Sequence, residues 1–201
     1  MTFSLRSVQT LAGFIVVLAA LQVRAAPAQD VKQLVAACAA CHVMSDVPAN
    51  SVNPIIWGQN AGYVYLQLRD FKRATRASES DAVMHALTQT MTDPQMLAIA
   101  EYVSAQPWPK SQNGTTPPTD PLFRRGALVA AYGDCGGCHF NNWQGYSANP
   151  RLRGQTPAYL TTTIDEFRSG KRGNSPGMSD FLRIYTAEDI RAIVAYLSSA
   201  E

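Results

Sequence analysis

Two five-residue stretches hold all four cysteines and two of the three histidines of this 201-residue chain. They read Cys38-Ala39-Ala40-Cys41-His42 and Cys135-Gly136-Gly137-Cys138-His139. Two thiols on one helical turn can add to the two vinyl groups of a haem, and the adjacent imidazole can turn onto its iron. A redox dithiol, half of a zinc site and a disulfide pair also use Cys-x-x-Cys. A dithiol, however, does not require a His after the second Cys in both copies. Zinc would have to gather ligands about a hundred residues apart, and would leave the repeated His unexplained. Two covalently attached haem c groups, held by Cys38, Cys41, Cys135 and Cys138, are therefore the expected cofactors, with His42 and His139 as iron ligands.

The elements that must position these motifs form an internal repeat. Asn53-Pro54-Ile55-Ile56-Trp57-Gly58-Gln59 matches Asn149-Pro150-Arg151-Leu152-Arg153-Gly154-Gln155, and at the same offset Tyr63 meets Tyr159 and Phe71 meets Phe167. Further on, Met91-Thr92-Asp93-Pro94-Gln95-Met96 parallels Tyr185-Thr186-Ala187-Glu188-Asp189-Ile190. Each half thus reads as motif, Pro/Gly loop, helix, Met-containing loop and closing helix. Thr92 with Gln95, and Thr186 with Asp189, are capping-box starts. Behind them apolar residues recur at helical spacing: Met96, Ile99 and Val103, then Ile190, Ile193, Val194 and Leu197. No stretch alternates as a strand would. The expected fold is all-α, with small helical domains at residues 26–105 and 122–201 and a proline-rich linker at 106–121. Two such small domains have weak cores unless each closes around a haem.

An iron bound by the motif His has one axial position left. Met84 stands seven residues before Met91, and Met178 seven before Tyr185. Met178 is the only methionine of the second half. A lone Met is commonly a core filler, but the repeated position favours ligation by Met84 and Met178. Met91 and Met96 follow Met84, and His85 adjoins it; Ser179 takes the place of His85 in the second half, so His85 reads as exposed and unligated.

These residues together resemble the diheme class I cytochromes c of the cytochrome c4 kind, across residues 30–200. The resemblance implies two tandem cytochrome c-type domains with His/Met-ligated iron. It also implies that the carbonyls of Pro54 and Pro150 accept the imidazole N–H of the haem-binding histidines, fixing the rings. The chain departs from the family where a Gly usually follows the haem-binding His, for Val43 and Phe140 stand there. Its linker is also longer and richer in proline than suits two rigidly clasped halves.

Iron with both axial positions filled has no easy site for substrate, so single-electron transfer rather than catalysis is expected. Donor and acceptor would be redox proteins: a quinol-oxidising complex, a terminal oxidase or a periplasmic dehydrogenase, with any membrane association made through them. The alternatives are a dedicated subunit of such a dehydrogenase or, further off, a diheme peroxidase or sulfur-compound-oxidising enzyme. No spare cysteine exists to ligate an unusual haem.

Arg6 followed by an apolar run, Leu11 to Val23, and small residues at Ala25, Ala26 and Ala28 read as a signal peptide over 1–25, cleaved near 25–28. An uncleaved anchor is the alternative, and either sends the chain to the periplasm. Loss of Arg6 and Arg24 leaves 15 basic residues against 15 acidic ones, which excludes a basic nucleic-acid binder. The remaining charge is uneven, with Arg151, Arg153, Arg168, Lys171, Arg172 and Arg183 crowding the second half. That crowd suggests either neutralised haem propionates or a docking face for an acidic partner.

Overall fold

The computed structural model describes residues 28–76, 78–114, 116–140 and 142–199. The expected signal segment lies outside them. The described residues form helices and loops, and pairing is limited to isolated bridges of Val47 with Ser111 and Tyr146 with Asn149. The first half carries α1 (Ala28–Ala36), a 3-10 turn at Cys38–Ala40, α2 (Ala61–Lys72), α3 (Ala82–Thr88) and α4 (Asp93–Ser104). The second repeats this with α5 (Pro121–Tyr132), α6 (Cys135–His139), α7 (Pro157–Ser169), α8 (Pro176–Leu182) and α9 (Ala187–Ser198).

Both capping boxes form as expected. The Thr92 hydroxyl accepts from Gln95 N while Gln95 Oε1 accepts from Thr92 N, and Thr186 with Asp189 repeats the exchange at α9. The apolar stripes behind them enter two separate cores. Met96, Ile99, Ala100 and Val103 of α4 meet Val31 and Val35 of α1, Val64 and Leu68 of α2, and Trp57. Ile190, Ile193, Val194 and Leu197 of α9 meet Ala130 of α5, Leu160, Ile164 and Phe167 of α7, and Trp143.

Two features differ from the sequence expectation. The Met-containing segments are helices rather than loops, because Pro176 opens α8 at its first turn and a Ser78/Asp81 capping box precedes α3. The helices ahead of the motifs, α1 and α5, add to the expected elements. For α5 the signal was present: Asp120 Oδ1 accepts from the free N–H groups of Leu122 and Phe123, and Pro121 occupies the first turn, where its missing N–H costs nothing. At the crossing of α5 with α9, Gly126 is buried so closely that a Cβ there would overlap the Ala192 carbonyl.

The segment between α4 and α5 is strapped down. Val47 N donates to Lys110 O and Gln112 N to Val47 O, at 3.2 and 2.8 Å. Asn113 Nδ2 reaches the carbonyls of Gly154, Gln155 and Ser198, and Thr116 N donates to Ser199 Oγ. Proline prevents a helix here, but these hydrogen bonds to both halves replace the slack that a Pro-rich linker implied.

Candidate functional site

Each motif forms a turn that buries its histidine and leaves its thiols on the wall of the fold. In the first, Cys41 N and His42 N both donate to Cys38 O. Cys38 is half-buried, Cys41 exposed and His42 buried. In the second, Asp134 adopts a left-handed conformation (φ 50°) ahead of α6, and His139 is again buried. Neither cysteine pair is closed as a disulfide. Burial raises the thiol pKa of Cys38 and Cys135, which disfavours the thiolate a redox dithiol needs.

The two histidines are held alike. His42 Nδ1 donates to Pro54 O at 2.8 Å, and His139 Nδ1 to Pro150 O at 3.1 Å. Spending Nδ1–H on a carbonyl leaves the Nε2 lone pair for a metal and fixes the ring plane. Burial pushes both imidazoles below the usual histidine range, opposed by those carbonyls, and so favours the neutral, ligating form.

Met84 is the third residue of seven-residue α3, and Met178 the third of seven-residue α8. Each packs against the core of its own half. Met96 is fully buried in that core, whereas Met91 packs at its margin as Met84 does. His85 is half-buried rather than exposed: its Nδ1 donates to Phe71 O at 2.7 Å, at the C-terminal end of α2.

The seam between the halves carries a further cluster. The Tyr63 hydroxyl accepts from Arg172 Nη2 at 3.2 Å, and Gln67 Oε1 accepts from Arg76 Nη1, Arg172 Nη2 and Asn174 Nδ2. Burial alone would raise the pKa of Tyr159, but Arg76 and Arg172 beside it bring it down to about 7. Arg172 is 2 % exposed and its Nη1 has no hydrogen-bond partner. Buried guanidinium donors without acceptors are costly, so this protein lining suits an anionic group such as a haem carboxylate. Buried donors, free Nε2 atoms and wall-side thiols together fit haem.

Charge counting leaves propionates and docking both open for these cations. Arg172 is buried rather than available for docking, and most of its neighbours in sequence are engaged within the chain. Arg151 stacks 4.3 Å over Trp108, Arg153 lies over Tyr196, Arg168 donates to Tyr185 O and Arg183 pairs with Asp180. The partner of a cation is not visible in composition. Sequence reasoning also passed over Arg76 and Arg172 as a pair, although they fall at the same repeat offset as Tyr63 and Tyr159.

Comparison with known proteins agrees with this geometry. The cytochrome c family model matches residues 123–201. Cytochrome c4 of Stutzerimonas stutzeri is 32% identical over 181 residues, covering 81% of this chain and 84% of that protein. A protein named thiosulfate dehydrogenase electron acceptor, also from Stutzerimonas stutzeri, is 28% identical over 94% of this chain and 93% of its own length. The crystal structure of reduced recombinant cytochrome c4 from Pseudomonas stutzeri superposes with a TM-score of 0.72 at 27% identity, covering 87% of this chain and 98% of that one. The chain belongs to the cytochrome c4 family and is a diheme electron carrier with two covalently bound haems.

Proposed function

We propose that one haem is held by Cys38 and Cys41 with His42 and Met84 as axial ligands, and the other by Cys135 and Cys138 with His139 and Met178. Pro54 and Pro150 support the two histidines. The observation that carries this reading is the matched pair of Nδ1-to-proline hydrogen bonds, one in each half. When bound, each haem supplies a one-electron couple, and His/Met ligation places its potential above that of a bis-His haem. The chain's own part is to fix ring and thioether, keep water off the iron and hold the two haem-binding halves together. Residues 26–105 and 122–201 would be the two haem domains and 106–121 their connection.

Intact mass spectrometry of the exported protein should find two haem masses that survive denaturation and an N-terminus near residue 26. One haem or none would defeat the attachment. Met178→Ala should abolish one of two weak near-infrared sulfur-to-iron bands and open that iron to carbon monoxide. Met84→Ala should do the same for the other haem, while Met91→Ala and His85→Ala leave both bands intact. If Met91→Ala removed the band instead, the first haem's assignment would move to Met91.

In the periplasm the carrier would take single electrons from a dehydrogenase or a quinol-oxidising complex and pass them to a terminal oxidase. The relative named for its role at thiosulfate dehydrogenase aligns over nearly the whole chain, which favours a sulfur-compound dehydrogenase as donor. Reduction of the purified protein by such an enzyme, followed in the visible bands, tests this, and failure under conditions where quinol-linked reduction proceeds would remove that donor. Co-purification with a dehydrogenase subunit would instead make it a dedicated component.

A further inference from the structure

Gln59 and Gln155 occupy equivalent places in the repeat, each 3 % exposed. Each reaches across the seam to a peptide group beside the other half's haem-binding histidine. The peptide joining Pro54 to Ile55 takes His42 Nδ1–H on its oxygen at 2.8 Å and gives its own N–H to Gln155 Oε1 at 2.8 Å. Gln155 Nε2 then donates to Ile55 O at 3.0 Å. The peptide joining Pro150 to Arg151 takes His139 Nδ1–H at 3.1 Å and gives its N–H to Gln59 Oε1 at 2.7 Å, while Gln59 Nε2 donates to Arg151 O at 3.0 Å. The two relays are related as contacts across a two-fold interface are, residue for residue.

A peptide whose N–H is hydrogen-bonded is polarised and accepts more strongly at its oxygen. A stronger acceptor draws the Nδ1 proton, gives the imidazole more anionic character and makes Nε2 a better donor to iron, which favours the oxidised state. We propose that Gln59 and Gln155 are crossed positioning residues, each tuning the reduction potential of the haem in the opposite half. The proposal rests on His42 and His139 as iron ligands. It also gives the seam a function beyond adhesion, because any change in how the halves are docked would reach both potentials at once.

The test is a redox titration of the holoprotein, the two haems being resolved by their NMR methyl signals and assigned through Met178→Ala. Gln155→Leu should raise the potential of the first haem, increasing its reduced-to-oxidised ratio at fixed ambient potential by up to about fivefold, the worth of one neutral hydrogen bond. The second haem should not move. Gln59→Leu should do the reverse. Thr156→Val, which removes the cross-seam bond from Thr156 Oγ1 to Ser51 O but keeps the Thr156 N–H on Gln155 Oε1, should shift neither.

A structural role alone would make each glutamine shift its own haem, both haems equally, or neither; any of these with the sulfur-to-iron bands intact overturns the relay. If the Leu variants do not fold, Gln155→Glu and Gln59→Glu keep an acceptor with more negative charge. Each must then lower the crossed haem more than the haem of its own half, and the opposite order overturns the proposal. Absence of the sulfur-to-iron bands from the unmutated protein would overturn the ligation instead.

Discussion

In the first half the carbonyl of His42 is held by the indole N–H of Trp57, whereas in the second the carbonyl of His139 is held by the backbone N–H of Gly145. The Pro-x-x-x-Gly loops align, yet Trp57 stands where the other loop has Arg153, and the second core takes its indole from Trp143 instead. One half fixes its histidine with a side chain and the other with a folded-back loop. That loop needs unusual backbone: Phe140, Trp143, Gly145 and Ser147 all have positive φ, at 61°, 59°, 63° and 53°. The same ligand geometry is therefore vulnerable to side-chain truncation on one side and to backbone change on the other.

The largest difference should come from the helix crossings. The α5–α9 contact runs through Gly126, where a Cβ would meet the Ala192 carbonyl and the Tyr196 side chain, whereas α1 contains no glycine. Gly126→Val should therefore force α5 off α9 and cost about 3 kcal/mol or more. Denaturant titration read at each haem should show loss in the second half first. Equal loss in both halves would mean that the seam, not the crossing, limits stability.

Next come the two tryptophans. Trp57 is 1 % exposed and its indole N–H satisfies a buried carbonyl, so Trp57→Phe strands that acceptor and leaves a void, at about 2–3 kcal/mol. Trp143 donates to the Tyr196 hydroxyl, a group free to turn, and Trp143→Phe should cost about 1 kcal/mol. Thermal unfolding of both variants decides whether the side-chain-held half is the more sensitive one.

Position 43 and its counterpart 140 should respond with opposite signs. Phe140 has φ 61° and ψ 159°, a region essentially reserved for glycine. Phe140→Gly should stabilise by about 1 kcal/mol, after loss of the edge contact with Tyr146. Val43 is not among the positive-φ residues, so Val43→Gly only adds unfolded-state freedom and should destabilise by about 1 kcal/mol. Two changes of the same sign in a melting experiment would contradict the backbone assignment.

The parts legible in the sequence were those whose partners lie within a few residues. The motifs, Thr92 with Gln95, Thr186 with Asp189, and the apolar stripes of α4 and α9 announce themselves by local spacing. The supporting prolines were legible only through family resemblance. What lay hidden depends on long-range pairing. Gln59 and Gln155 align in the repeat, but nothing local says that their partners are peptides 92 and 100 residues away. Arg172 reads equally as a propionate partner or a docking cation until Tyr63 and Gln67 are brought against it. The helical state of the Met84 and Met178 segments rests on Ser78, Asp81 and Pro176, start signals weaker than the repeated methionine beside them.

The smallest effect separates the capping boxes of α4 and α9 by pH. The box at α4 closes with neutral Gln95, whereas that at α9 closes with Asp189, which also pairs with Arg125 of α5 at 2.9 Å. The side-chain and backbone hydrogen bonds from Thr186, and then Arg125, hold the Asp189 carboxyl below its usual pKa. A group depressed on folding stabilises fully above its unfolded value of about 3.9, and that contribution is lost as pH falls through the lower folded value. Acidification should therefore loosen the first turn of α9 more than that of α4. Hydrogen-exchange protection at Ile190, relative to Met96, should fall below about pH 4, and Asp189→Asn should abolish the difference. Parallel loss at both amides would place the acid sensitivity in the fold as a whole rather than in this one carboxylate.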